Sequence, residues 1–145
     1  MSKKHICFYS NSDKWSKGED AELDLLLFAP LDSKNDEFQE NVNVVTEGLP
    51  YSMTASGYMD ASMEALRTQL QKFTQVDRGS TEIRGRDAEW IVYKHEMMGY
   101  KIEVKAWAMI KDSKAYVITG SALQDVFDKY ESQFDAIAET VQIGG

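Results

Sequence analysis

The sequence predicts one α+β domain, in which an antiparallel β-sheet of about six to seven strands is flanked by α-helices on both faces. Three observations support it, the first being that residues 83–122 read as three long strands joined by two tight turns. Amphipathic helical patterns precede and follow this stretch. Both faces of the predicted sheet carry apolar side chains, so each face needs a covering layer. The length of 145 residues fits a single domain over residues 1–145.

Composition restricts the classes of function and partner. The net charge of -8 and the pI near 4.7 argue against nucleic acid, or an anionic membrane surface, as the main partner. No apolar run reaches the roughly 18 residues that a transmembrane helix needs, so we expect no transmembrane segment. The single cysteine, Cys7, cannot form an internal disulfide. The N-terminus has no signal-peptide apolar region, so we expect a cytoplasmic protein, or a periplasmic or membrane-anchored one if a leader has been removed.

The first half of the chain is predicted to supply three short strands and a helix. The strands are expected at residues 5–10, 23–29 and 41–47. A helix over residues 55–73 can be capped by Thr54 or Ser56. Its apolar residues recur at spacings of three and four, namely Met59, Met63, Leu66, Leu70 and Phe73. Residues 76–84 then form an edge strand that turns at Gly85.

The central three-stranded meander has a register that follows from its turns. Met98-Gly99 is the expected two-residue loop of the first hairpin, and Asp112-Ser113 that of the second. Opposite charges and tryptophans then face each other, and such pairs contribute about 0.2–1 kcal/mol each. The predicted pairs include Met97 with Tyr100, Glu96 with Lys101, Lys94 with Glu103, Trp90 with Trp107, Met109 with Tyr116 and Trp107 with Ile118.

The two faces of this meander differ in character. One is the expected core face, with Ile91, Tyr93, Ile102, Val104, Ala106, Ala108, Ile110, Val117 and Thr119. The opposite face has a charged end that we expect to meet water, formed by Lys94, Glu96, Lys101, Glu103 and Lys105. The other end of this opposite face is apolar, so we expect another part of the protein or a partner to pack on it. A second helix over residues 125–139, with Asp125 as its N-cap, is available.

Residues that could carry catalysis or bind metal are few. His5 and Cys7 share one strand face, but no third ligand lies near them in the sequence. His95 and Glu96 are adjacent on a strand and therefore point to opposite faces, so we expect a structural histidine rather than an acid-base pair. There is no Gly-x-Ser-x-Gly motif and no phosphate-binding glycine loop. We therefore expect no catalytic residues, no metal, no cofactor and no enzyme activity.

Aromatic and methionine side chains form the candidate binding residues. Met97, Met98 and Tyr100 lie at the tip of the first hairpin, where a helix cannot easily cover them. Such a tip could bind an apolar helix, peptide or ligand. A second group lies on one sheet face, where it would either bind a partner or pack under a helix of the same chain: Trp90, Trp107 and Tyr116.

Several segments together resemble the PsbP/DcrB-like superfamily of small α/β proteins. The similarity extends over about residues 8–143, and it is carried by residues 25–30, 38–44, 58–70, 85–88, 114–120 and 127–141, with Tyr93. The resemblance implies a PsbP/Mog-like α/β/α sandwich. The chain departs from the pattern at its start, where Phe8, Tyr9 and Trp15 occur without the usual proline. No lipoprotein cleavage motif precedes Cys7.

The resemblance also implies a set of functions. The superfamily includes periplasmic lipoproteins, a photosystem II accessory subunit, a Ran-binding factor and chaperones for transmembrane segments of type VI secretion effectors, and it is not an established enzyme class. We expect a non-enzymatic bacterial accessory protein that binds a protein partner or an apolar ligand. A chaperone for hydrophobic effector segments, which would require a homodimer, is the first alternative, and a metal-dependent or hydrolytic enzyme is the second.

Overall fold

The structure, a computed structural model, describes residues 40–143 continuously and three short strand segments before them, with side chains described for residues 40–141. The three segments are β1 (Ile6–Cys7), β2 (Ser16–Lys17) and β3 (Leu25–Phe28). The continuous part comprises β4 (Asn41–Gly48), α1 (Ala55–Gln69), β5 (Gln71–Ile83), β6 (Arg86–Met97), β7 (Tyr100–Lys111), β8 (Lys114–Leu123), α2 (Phe127–Thr140) and β9 (Gln142–Ile143).

These elements form the predicted α+β architecture. The main sheet is antiparallel throughout, in the order β2-β3-β4-β8-β7-β6-β5. Five long strands, β4 to β8, make up most of it, and the short β2 and β3 extend one edge. The strand predicted at residues 5–10 is described only as β1, which pairs with β9 in a separate two-stranded sheet. Within the described residues, neither helix is long and apolar enough to cross a membrane.

The predicted register of the meander is confirmed at every pair named above. Its two turns, and the turn at Arg84-Gly85, each place two consecutive residues at positive φ. Positive φ at both loop positions matches the right-handed twist of the flanking strands, which fixes the hairpin geometry. The register therefore follows from local turn chemistry and cross-strand pairing together.

One helix packs on each face of the sheet. On what we call the α1 side, Met59 and Met63 of α1 pack against the expected core face, including Ile91, Tyr93 and Val104. On the opposite α2 side, α2 covers a second core, whose buried members include Val42, Val44, Trp107, Ile118, Tyr130, Phe134 and Ile137. Gly120 lets Phe134 approach β8, because a Cβ atom there would lie 2.7 Å from the phenyl Cγ atom. The helix layers are thus held by two separate apolar clusters.

Three predicted element boundaries are wrong. α1 ends at Gln69 instead of residue 73, and β5 begins at Gln71 instead of residue 76, so Phe73 belongs to β5. Phe73 still packs against the α1-side cluster, which explains why its spacing imitated the helix. Of the two cap candidates named for α1, Thr54 is the one that caps the helix, since its Oγ1 atom accepts from the Gly57 N–H at 3.0 Å. Asp125 is not the N-cap of α2, because Val126 holds that position and makes no side-chain cap.

The charged end of the α2 side does not simply meet water, as the sequence suggested. Glu103 and Lys105 are each only 9% exposed. The Lys105 Nζ atom lies 2.8 Å from Asp135 Oδ1 and 3.3 Å from Glu131 Oε2, both on α2. The two carboxylates of α2 therefore compensate the charge of the buried lysine on β7.

Candidate functional site

A groove between α1 and the sheet is a mainly apolar concave feature of the described residues. Its cavity volume is about 250 Å³. The helix contributes one wall and strands β6, β7 and β8 contribute the floor. The lining residues are Tyr58, Met59, Ser62, Ala65, Leu66, Ile91, Tyr93, Ala106, Ala108, Val117 and Thr119. The groove can therefore accept apolar groups, and its four hydroxyl-bearing residues can form hydrogen bonds with polar atoms of a ligand: Tyr58, Ser62, Tyr93 and Thr119.

The position of α1 explains why the groove stays open on one side. The helix packs mainly against β5, β6 and β7, so its footprint ends before β8. Val117 and Thr119 of β8, and Val45 of neighbouring β4, are only half-buried on this side. Two small residues, Ala106 and Ala108, form the floor beneath the helix. The space follows from these alanines, which leave room where larger side chains would meet α1.

A single side-chain hydrogen bond closes part of this open side. The Tyr58 hydroxyl donates to Glu47 Oε1 at 2.6 Å, joining α1 to β4. Burial, together with the hydrogen bond and the negative charge of Glu47, raises the pKa of Tyr58 to about 12. Tyr93, deeper in the groove, also has its pKa raised to about 12 by burial. Both phenols therefore remain protonated at neutral pH.

The hairpin tip is the second candidate feature, and the structure leaves its methionines open to solvent. Met98 is 86% exposed and Met97 is 45% exposed. Tyr100 instead packs partly against the α1-side cluster. Met98 also has φ of 52°, a left-handed conformation that unbranched apolar residues seldom adopt. Of the three predicted tip residues, the two methionines form the exposed surface.

The three aromatic residues predicted on the sheet face are on the α2 side. Trp107 is 4% exposed within the core under α2, and Trp90 packs partly buried against the same cluster. Tyr116 is half-buried. The Lys105 ammonium lies 4.9 Å from the Trp90 ring centre and 5.3 Å from that of Trp107. Of the two interpretations of these tryptophans, packing under a helix of the same chain describes their surroundings, and the structure does not bring them together with the hairpin tip.

Two polar clusters lie apart from the groove floor. Arg78 ties β5 to α1 and β6, donating to Asp60 Oδ1 at 2.6 Å and to Glu89 Oε1 at 3.2 Å. On the α2 side, burial raises the pKa of Glu103, and nearby Asp128 and Glu131 act in the same direction. Because their charged groups are engaged in ion pairs or packed under α2, these clusters mainly hold the layers together.

His95 and the suggested metal ligands complete the predicted positions. His95 is opposite Ile102 and is buried on the α1 side, and its Nδ1 atom makes no hydrogen bond within the described part of the chain. Burial lowers the pKa of His95. Residues 40–141 hold no group of three His, Cys, Asp or Glu side chains placed for a metal ion. His5 and the side chain of Cys7 lie outside the described residues.

The groove itself is the feature that sequence reasoning missed. Pattern analysis assigned Ala106, Ala108, Val117 and Thr119 to the core face but did not show that α1 covers that face only in part. One signal was present: two alanines in succession on the inward face of a long strand reduce side-chain volume there.

Comparison with known proteins identifies a matching sequence family and several structures with a similar fold. The sequence model of the DcrB family matches residues 28–140. No curated protein sequence matches significantly. Among solved structures, LpqN of Mycobacterium tuberculosis, described as involved in cell envelope biogenesis, superposes with a TM-score of 0.75 and 13% identity, covering 97% of this chain and 83% of that one.

Two further solved structures agree. Cyanobacterial PsbP (CyanoP) from Synechocystis sp. PCC 6803 has a TM-score of 0.66 and 14% identity, with 97% of this chain and 93% of that chain covered. PA94, a protein of unknown function from Pseudomonas aeruginosa, has a TM-score of 0.66 and 12% identity, with 90% and 92% covered. At these identities the likeness shows a shared fold, which is the predicted PsbP-like architecture.

Proposed function

Because the chain belongs to the DcrB family, we propose that it is a non-enzymatic binding protein that holds an apolar ligand, or an apolar segment of a protein partner, in the groove beside α1. The observation that carries this proposal is the groove's apolar lining. Aliphatic, methionine and aromatic side chains provide most of it, with no Lys, Arg, His, Asp or Glu among the lining residues. Such a surface gains free energy by removing apolar groups from water.

The size of the groove indicates the size of its occupant. At about 250 Å³ it lies just below the roughly 300–1,000 Å³ typical of sites for small molecules. A short alkyl chain, or one or two large apolar side chains of a partner, would fill it. Burial contributes about 25 cal/mol for each Å² of apolar surface removed from water, so a group of this size supports modest affinity.

The state of the two groove phenols supports the non-enzymatic part of the proposal. A general acid or base works best with a pKa near the operating pH. Tyr58 and Tyr93 both have pKa values raised to about 12, so neither exchanges protons readily at neutral pH. Catalysis in this groove would need another titratable group, and its lining supplies none.

A chaperone for hydrophobic segments of type VI secretion effectors is the second candidate. The observation that favours it is the half-buried surface beyond α1, where Val45, Val117 and Thr119 continue the groove floor across β8 and β4. An apolar helix is longer than the groove and needs such an extended surface. This function would also call for a homodimer, whose two grooves could together enclose a helix.

The test is to measure binding of two probes, n-octanol by calorimetry and a synthetic apolar helical peptide by light scattering. We expect n-octanol to bind the unaltered chain. Ala106→Leu should fill the groove and weaken binding at least tenfold, while Ala61→Leu, on the exposed side of α1, should leave it unchanged. A dimer whose mass rises with the peptide favours the chaperone. If neither probe binds, or if Ala106→Leu binds normally, the groove does not have the proposed function.

A further inference from the structure

We infer that the groove selects small amphiphiles whose head is an ammonium or a hydroxyl over those with an anionic head, and that the Tyr58–Glu47 pair makes this selection. The inference rests on the proposed function, because it concerns the same groove. It specifies the polar end of the ligand, which the apolar lining does not determine. The supporting observation is the carboxylate that the hydrogen bond holds at the groove's open side.

Glu47 places a carboxylate beside this open side of the groove. Glu47 Oε1 lies 2.6 Å from the hydroxyl of Tyr58, a lining residue. No cationic residue lines the groove. Among the described residues, no ion pair engages Glu47. No described cation is therefore paired with this carboxylate beside the position where a ligand's head would emerge, and a second anion there would be repelled.

Glu47 can also accept hydrogen bonds from such a head. A carboxylate has about four lone-pair positions, and the Tyr58 hydroxyl occupies one of them. Glu47 is exposed, so its remaining positions face solvent and are open to a ligand's N–H or O–H group. Charge-assisted hydrogen bonds of this type are about twice as strong as neutral ones. An ammonium head gains both the hydrogen bond and the charge attraction.

Tyr58 links the apolar and polar parts of the site. Its ring belongs to the lining, while its hydroxyl fixes Glu47 and also interacts with the Ser62 hydroxyl, another lining group. The side chain is therefore a positioning residue for the carboxylate. Removing its hydroxyl should leave the apolar contact and release Glu47 from the groove margin.

The volume of the groove argues for a small amphiphile as the occupant. About 250 Å³ corresponds to roughly eight water volumes of about 30 Å³ each. A short alkyl chain fills this space and leaves its head at the open side, near Glu47. For this reason each probe has one eight-carbon chain, and the probes differ in the polar group at its end.

The experiment compares octylammonium, n-octanol and octanoate by calorimetry, at low salt and near neutral pH. We expect octylammonium to bind about tenfold more tightly than octanoate, with n-octanol between them. Glu47→Gln should bring the two ions to nearly equal affinity. It should weaken n-octanol by less than it weakens octylammonium, because the glutamine amide oxygen still accepts a hydrogen bond but carries no charge. Tyr58→Phe should reduce the ratio in the same direction. Raising the salt concentration should also reduce it, because the charges are partly exposed.

Glu64→Gln is the matched control, since Glu64 is an exposed carboxylate on the outer surface of α1 and should not affect the ratio. Binding of n-octanol with equal affinity for the two ions would overturn this inference alone. An unchanged ratio in Glu47→Gln would do the same. If n-octanol does not bind, the proposed function fails and the inference fails with it.

Discussion

Met98 occupies a backbone conformation that its side chain does not favour. Its φ of 52° is the first left-handed position of a tight turn, where asparagine and glycine are usual. The second meander turn and the turn that joins β5 to β6 place Asp112 and Arg84, both polar, at the same position. Only this tip combines the strained conformation with an apolar side chain that is almost fully exposed. Strain of this kind is often retained at sites that make contacts.

We predict that Met98→Asn stabilises the fold. Asparagine adopts the left-handed conformation more easily, so the free energy of unfolding should rise by about 0.5–1 kcal/mol. Urea denaturation measures the change. Met97→Asn is the control, because Met97 is a strand residue and gains polarity without relief of strain. Equal stabilisation by both substitutions would show that exposed apolar surface, and not backbone conformation, is responsible.

Lys105 shows how a charge can be buried without being isolated. Its ammonium is shared between two carboxylates of α2 and lies over two tryptophan rings. Removing it would leave Glu131 and Asp135 facing each other without their cation. The two carboxylates are partly exposed, which reduces the cost that fully buried partners would impose.

Lys105→Met should therefore lower the free energy of unfolding by about 1–3 kcal/mol. Chemical denaturation is the measurement. Lys101→Met, an exposed lysine of the same strand, should change stability by less than about 0.5 kcal/mol. Adding Asp135→Asn to Lys105→Met should recover part of the loss. A loss no larger than that of the control would mean that the cluster contributes little.

At the scale of the secondary-structure elements, hairpins were predictable and helix ends were not. The register of β6, β7 and β8 follows from two turns and several facing pairs, all of which are near in sequence. The end of α1 depends on Phe73, whose spacing fits the helix although it packs from β5. A three- and four-residue pattern does not distinguish a helix from a helix followed by a strand on the same face.

The same distinction applies to the candidate site. The exposed methionines were predictable, because a tight turn cannot be covered by its own strands. The groove was not, since it depends on how far α1 reaches across the sheet. The burial of Lys105 was also unforeseen, because its partners Glu131 and Asp135 come from α2, 26 and 30 residues away in the chain. Pairings that require tertiary packing leave no local pattern.

The contact between α2 and β8 provides a prediction at this scale. In Gly120→Ala the new Cβ atom would lie 2.7 Å from the Phe134 Cγ atom, and Phe134 is fully buried. Overpacking should lower the free energy of unfolding by about 1–3 kcal/mol, measured by urea denaturation. Gly48→Ala has no atom within 4 Å of the new Cβ and is the control. Similar small effects at both positions would contradict tight packing of α2 on the sheet.

At the scale of the whole molecule, two buried groups give stability opposite dependences on pH. Burial lowers the pKa of His95 below its usual value of about 6.5, so its contribution to stability is complete above that pH and is lost as the pH falls toward the lowered pKa. Burial raises the pKa of Glu103, so the folded state binds more protons. Its contribution is complete below the usual pKa, near 4.3, and is lost as the pH rises through the raised pKa.

We predict that single substitutions separate these contributions. The measured quantity is the free energy of unfolding at pH 7 minus that at pH 5, from urea denaturation. His95→Leu should make this difference smaller, and Glu103→Gln should make it larger, by up to about 1.4 kcal/mol for each unit of pKa shift. The two free energies of unfolding are compared within the same variant, so a change in packing that affects both pH values equally cancels. If both variants keep the original difference, neither group controls the pH dependence.

The irregular pairing of β5 affects whether the sheet edges of two protein molecules can associate. This strand forms one edge of the main sheet, and its pairing with β6 shifts between Gln71 and Thr74 and again between Gln75 and Asp77. An edge strand offers a template onto which another chain can add, and bulges interrupt the even spacing that such addition requires. The interruptions lie beside Val76, an exposed apolar residue of this edge. They discourage fibre growth at the place where an apolar side chain would otherwise promote it.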